Sequence, residues 1–133
     1  MKCKIATQLS IFLANKPGTL AEVCETLAGD QINIFAMTIS DTVDHAVVRM
    51  VCSDPQKALA IFEERGTLVV DQQVITIEDK NCPGTLGQIA RKMAAHKVNI
   101  EYAYCTATKN QEFGCLVIKT KDAEQTLEIL EEI

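Results

Sequence analysis

The sequence has no tryptophan, and aromatic residues make up only 5% of its 133 positions. Sheet-based RNA readers stack bases on aromatic side chains, so this composition disfavours that class. Positive charge is also scarce. The formal net charge is −5, the pI is near 5.0, and no Lys/Arg cluster exceeds two residues. Binding to a phosphate backbone normally needs a basic stripe, so no nucleic-acid partner is expected. No apolar run approaches the roughly 20 residues of a membrane span, and no basic-then-apolar leader is present. The expected home is the cytoplasm, with no membrane partner.

The chemistry-bearing patterns are missing as well. Six cysteines are present, at positions 3, 24, 52, 82, 105 and 115, but no two form a CxxC pair. His45 and His96 add no ligand spacing to them, which disfavours zinc and redox readings and leaves no metal expected. Cys24 falls on a helical apolar stripe, and Cys52, Cys105 and Cys115 fall in strand-like runs, where a thiol packs as a small hydrophobe. Cys82 belongs to a loop and is expected to be exposed. Neither histidine has a nucleophile or carboxylate at a spacing that supports catalysis. No glycine-rich phosphate loop occurs, so no nucleotide or other cofactor is expected. The chain does not read as an enzyme.

What the sequence does contain is a duplication. Asn15-Lys16-Pro17-Gly18-Thr19-Leu20 returns as Asn81-Cys82-Pro83-Gly84-Thr85-Leu86, and Ile32-Asn33-Ile34 returns as Val98-Asn99-Ile100, both 66 positions later. Two motifs in one unbroken register define a repeat of about 65 residues. Further on, Asp54 and Asp122 open matching stretches at an offset of 68. Two residues have therefore been gained in between. The polar stretch 106–112 is their natural place, because loop tips accept insertions.

Each repeat carries the same succession of signals. Residues 8–13 form an apolar strand that runs into the Pro-Gly loop. A helix follows, with Thr19 expected as N-cap, Glu22 three residues on, and Leu20, Val23, Cys24 and Leu27 on one face. Gly29 and Asp30 close it. In the second repeat Thr85 and Gln88 take the capping positions. Residues 32–40 and 45–52 then read as a hairpin around a turn at 41–44, matched by 98–105 and 113–120. Asp54-Pro55 starts a second helix that ends at Gly66, and Asp122 starts its counterpart. Residues 67–70 and 74–78 read as separate strands. The order strand, helix, strand, strand, helix, strand is ferredoxin-like, an α+β class with an antiparallel sheet and both helices on one face.

The expected domains are residues 1–70 and 71–133. The second lacks a last strand of its own within the sequence. By the 66-residue offset, residues 1–6 correspond to 67–72, so residues 2–5 are expected to supply the missing strand, in cis or from another copy. A chain cut short is the alternative.

The doubled motif resembles the ACT domain, the small-molecule sensing module of amino-acid metabolism, and in particular short stand-alone proteins made of two ACT domains. The resemblance rests on the Asn-x-Pro-Gly-x-Leu loop and the downstream apolar-Asn-Ile, present in both copies over nearly the whole chain. It implies a non-catalytic regulatory sensor that binds an amino acid at an interface between ACT domains. It further implies a homodimer, with a metabolic enzyme as a further partner.

Candidate ligand-binding residues follow from the resemblance: Asn15, Pro17, Gly18 and Asn33 in the first copy, and Asp79, Asn81, Pro83, Gly84 and Asn99 in the second. Their chemistry suits the task. Glycine lets a ligand approach the main chain, a helix N-terminus attracts a carboxylate, and an asparagine amide can meet both an ammonium and a carboxylate. Asn15 and Asn81 can equally serve only their own turns. Two residues before the loop Asn stands Leu13 in the first copy and Asp79 in the second, so an ammonium contact is expected in the second alone. The other reading is a ligand-free interaction protein that dimerises and docks on a metabolic enzyme or transporter.

Overall fold

The structure is a computed structural model, and it describes residues 1–80, 82–106 and 112–132. These form β1 (Lys2–Ala14), α1 (Thr19–Gly29), β2 (Ile34–Asp41), β3 (His45–Cys52), α2 (Pro55–Glu64), β4 (Val69–Lys80), α3 (Thr85–Ala95), β5 (Tyr102–Thr106), β6 (Phe113–Lys119) and α4 (Ala123–Glu131). They divide into a first unit, Thr7–Gln72, and a second, made of Met1–Ala6 with Gln73–Ile133. Residues 2–6 of β1 thus belong to the second unit and residues 69–72 of β4 to the first.

Within the first unit the strands lie in the order β2-β3-β1-β4, and within the second in the order β5-β6-β4-β1. The ladders β1·β3, β2·β3, β4·β6 and β5·β6 are antiparallel. With two helices each, both units are ferredoxin-like. The two long strands replace pairs of shorter ones that the polarity pattern predicts. Nothing between Ile5 and Gln8, or between Val70 and Val74, is a glycine or proline, and Asp71, Gln72 and Gln73 are exposed strand residues. Polar residues on a solvated strand do not make a turn without such a breaker.

Each unit has its own core. In the first, Leu9, Ile11, Val48 and Met50 of the sheet meet Val23 and Leu27 of α1 and Phe62 of α2. In the second, Ile75, Ile77 and Ile118 meet Ile89 and Met93 of α3 and Ile129 and Leu130 of α4, with Cys3 and Ile5 packed against them. Full burial of side chains of this size stabilises by about 1.5–3 kcal/mol each. The alternation Leu9, Ile11, Leu13 along β1 is what turns one sheet face to the helices.

Among the described residues no helix is long and apolar enough to cross a membrane. Nor does any group of three or more His, Cys, Asp or Glu among them have the geometry to hold a metal ion.

Candidate functional site

The Pro-Gly loops build unusual helix starts. Gly18 and Gly84, not Thr19 and Thr85, are the N-cap residues of α1 and α3, at φ 92° and 95° in the left-handed region. Side chains rarely adopt that conformation, and glycine does so freely. The threonines are the first helical residues, and their hydroxyls turn back into the loop. Thr19 Oγ1 reaches the carbonyls of Ala14 and Lys16, both at 3.1 Å, and Thr85 Oγ1 donates to the Lys80 carbonyl at 3.3 Å. Cys82 Sγ lies 3.2 Å from Thr85 Oγ1. With the one hydroxyl proton directed at Lys80, the thiol is the donor in that contact.

Among the described residues neither α1 nor α3 receives a side-chain cap, whereas α2 and α4 do. Asp54 accepts from the Lys57 N–H at 3.1 Å, and Asp122 from the Gln125 N–H at 3.1 Å. Among the described residues no side chain accepts from the first-turn N–H groups of α1 and α3, which stand at the positive end of the helix dipole. The two are not equal, because Glu22 stands in the first turn of α1 and no acidic residue stands in that of α3.

Asn15 and Asn33 do not gather in one place. The side-chain amide of Asn15 donates to the Thr42 carbonyl at 3.2 Å, and its backbone N–H to the Asp44 carbonyl at 3.1 Å, tying the loop to the β2–β3 turn. Asn33 is exposed, and its backbone N–H donates to Ser53 Oγ at 2.9 Å. Asp44 and Ser53 bracket β3, so at about 3.3 Å per residue the two asparagines lie roughly 30 Å apart. One small molecule cannot touch both within one unit. In the second unit the residues flanking the two motifs are separated in the same way. Lys80 pairs with Phe113 at the loop end of β6, while Glu101, two residues past Asn99, bonds Lys119 at the other end. Asn99 is exposed, and Asn81 lies outside the described residues.

Pro17, Gly18, Pro83 and Gly84 are exposed in their loops. Asp79 is half-buried and lines a cavity of about 130 Å³. The floor of that cavity is Ile77, Ile89 and Leu116, and Cys82, Thr85 and Cys105 stand around it. Asp79 Oδ1 accepts the Lys80 N–H at 2.8 Å and lies 3.9 Å from the Met1 amino group. Cys105, Gly114 and Leu116 escape a reading of loop motifs because the β5–β6 hairpin brings them in from far along the chain. Cys105 is exposed and not packed as a strand hydrophobe, while Cys82 is exposed as its loop position predicts. Burial raises the thiol pKa of Cys52, Cys115 and Cys3 above the ordinary value.

Two ferredoxin-like units, each opening its first helix from a glycine-capped Pro-Gly loop, define a tandem of small α+β modules. The chain belongs to the ACT domain pair family, whose model matches residues 4–132. It is 35% identical to a crystallographically solved protein of Bacteroides thetaiotaomicron, with a TM-score of 0.90 over 98% of this chain and 89% of that one. Its fold also resembles the ligand-free regulatory subunit of aspartate kinase from Thermus thermophilus, at 16% identity and a TM-score of 0.70 over 98% and 95% of the two chains. The regulatory subunit from Thermus flavus gives 18% identity and a TM-score of 0.65 over 99% and 96%. No curated protein matches the sequence.

Proposed function

We propose that the protein is a non-catalytic regulatory sensor. It binds a free amino acid at its Pro-Gly loops, in the cytoplasm, and passes occupancy on as a change in packing or assembly. The observation that carries this reading is the contrast among helix N-termini: α2 and α4 are closed by aspartates, while α1 and α3 start from left-handed glycines with no side-chain cap among the described residues. Uncapped N–H groups at a positive dipole end suit the carboxylate of an amino acid. Gly18 and Gly84 leave open space where a side chain would stand, which lets a ligand come near the backbone. The likeness to aspartate kinase regulatory subunits supports the same reading.

In this reading Asn15, Pro17 and Gly18, and Asp79, Asn81, Pro83 and Gly84, form the loop halves of the sites. Asn33 and Asn99 serve across an interface with another ACT domain, since they lie too far from their own loops to reach the same ligand. A homodimer follows, and a metabolic enzyme is the natural receiver of the signal.

One observation favours a ligand-free interaction protein instead. Phe35 and Ile39 on β2, the end strand of the first unit, and Val43 beyond it are exposed, Val43 to 92%. Apolar side chains on an unpaired edge invite a partner.

Calorimetric titration of the purified chain with each of the twenty amino acids tests the sensor. At least one is expected to bind, and Asn81→Ala with Asn99→Ala is expected to abolish that binding in a folded protein. No binding by any of the twenty moves the function to the interaction reading.

A further inference from the structure

The two repeats differ at three corresponding positions that meet at one spot. Leu13, Ile39 and Ala46 of the first unit correspond to Asp79, Cys105 and Gly114 of the second, at the offsets of 66, 66 and 68 set by the duplicated motifs. The strand registers agree with this alignment. Leu13 pairs with Ala46 and Ile39 with Val48, as Asp79 pairs with Gly114 and Cys105 with Leu116. Residues directly opposite share a sheet face. Leu116 and Ile77 belong to the core beneath the helices, so this is the helix-bearing face.

Each of these three differences removes apolar bulk from that face in the second unit, and together they outweigh the single methylenes gained where Val23 and Val48 correspond to Ile89 and Leu116. Isoleucine gives way to the shorter cysteine, alanine to glycine, and leucine to a carboxylate. The cavity of about 130 Å³ lies where the bulk is gone, against Asp79, Cys105, Gly114 and Leu116. In the first unit Leu13 packs on the core and Ala46 is buried. A cavity of that unit starts from the same loop, at Leu13 and Thr19, but runs past Glu22 and Val23 of α1 and Phe62 of α2 and is lined by no residue of β2 or β3.

We propose that the second loop alone is an amino-acid site, that Asp79 receives the ligand's ammonium there, and that the chain binds one ligand and not two. This rests on the sensor reading and narrows it. Asp79 is a half-buried carboxylate on an apolar sheet face, and the Met1 amino group, at 3.9 Å, is a cation too distant to hydrogen-bond to it. Among the described residues both contacts of Asp79 use Oδ1, which leaves Oδ2 for an ammonium. The carboxylate of the ligand finds no competing acid in the first turn of α3, while Glu22 repels it at α1. The first loop acts as a brace, its Asn15 amide held by the Thr42 carbonyl. Selection by Asp79 excludes 2-oxo and 2-hydroxy acids, which share the carboxylate and lack the ammonium.

The test is equilibrium dialysis of the full chain against a saturating equimolar mixture of the twenty amino acids, followed by acid release and quantification of what was bound. One molar equivalent per chain is expected, and none from the matching mixture of 2-hydroxy acids. The variant Asp79→Leu/Cys105→Ile/Gly114→Ala, which copies residues the first unit already accommodates, is expected to fold and to lose binding at least tenfold. Should it not fold, the isosteric Asp79→Asn carries the same expectation. Two equivalents per chain, equal binding of the 2-hydroxy acids, or undiminished binding by these variants overturns the inference and leaves the sensor standing. No bound amino acid at all overturns the sensor itself.

Discussion

Gly18 and Gly84 show how much one residue decides in this protein. Both sit at positive φ, and a Cβ at either position would meet nothing within 4 Å, so a substitution there brings backbone strain and no steric clash. Gly84→Ala is expected to cost about 1–2 kcal/mol, the left-handed penalty for an L-residue. Gly87 also has open space but lies inside α3 without a positive φ. There, Gly87→Ala is expected to stabilise by about 0.5–1 kcal/mol. Urea titration of the two variants reads the opposite signs directly. The cysteines divide in a similar way. Cys82 and Cys105 are exposed, while burial holds the Cys52, Cys115 and Cys3 thiols above the ordinary value of 9.0. Iodoacetamide at pH 8 is therefore expected to modify Cys82 and Cys105 first, since the thiolate is the nucleophile. In the unfolded chain the buried thiols lose their protons at lower pH than in the fold. Their contribution to stability is present below about pH 9 and is lost as pH rises through the folded values, which thermal melts between pH 8 and 10 can follow.

At the scale of the element, the caps and strands separate what was legible in the sequence from what was not. Asp54 with Pro55, and Asp122, announce α2 and α4 directly, because an aspartate cap is local chemistry. Asp54→Ala and Asp122→Ala are each expected to cost about 1 kcal/mol, read as a lowered denaturation midpoint. The starts of α1 and α3 are misread by one residue. Threonine is a common cap, but here the left-handed glycine before it takes the position and the hydroxyl bonds back into the loop. The strand β3 agrees with its apolar run, residue for residue, because turns bound it on both sides. Strands β1 and β4 run on through polar residues that only pairing, not composition, identifies as extended. Ile5 packs against the second unit's core while only partly buried. Ile5→Ala is accordingly expected to cost about 1–2 kcal/mol, below the range for a fully buried isoleucine. The candidate site was half legible. Repeated motifs marked the loops, but spacing along the chain cannot say that Asn15 and Asn33 sit at opposite ends of β3, nor that Cys105 and Gly114 lie beside Asp79.

For the whole molecule, duplication supplies two equivalent scaffolds, and divergence at a few positions then makes them unequal. Membership of the ACT domain pair family supports a regulatory, ligand-binding role. Dimer formation through the exposed β2 edge is expected in solution, and light scattering would return twice the 14.6 kDa chain mass. Whether the folded chain binds an amino acid is read from thermal unfolding of the intact protein in the presence of each of the twenty. A ligand at one hundred times its dissociation constant stabilises the fold that binds it by about 2.7 kcal/mol. One amino acid, or a small group of chemical relatives, is expected to raise the transition by on the order of 10 °C. Twenty unshifted transitions at millimolar ligand would contradict the sensor reading.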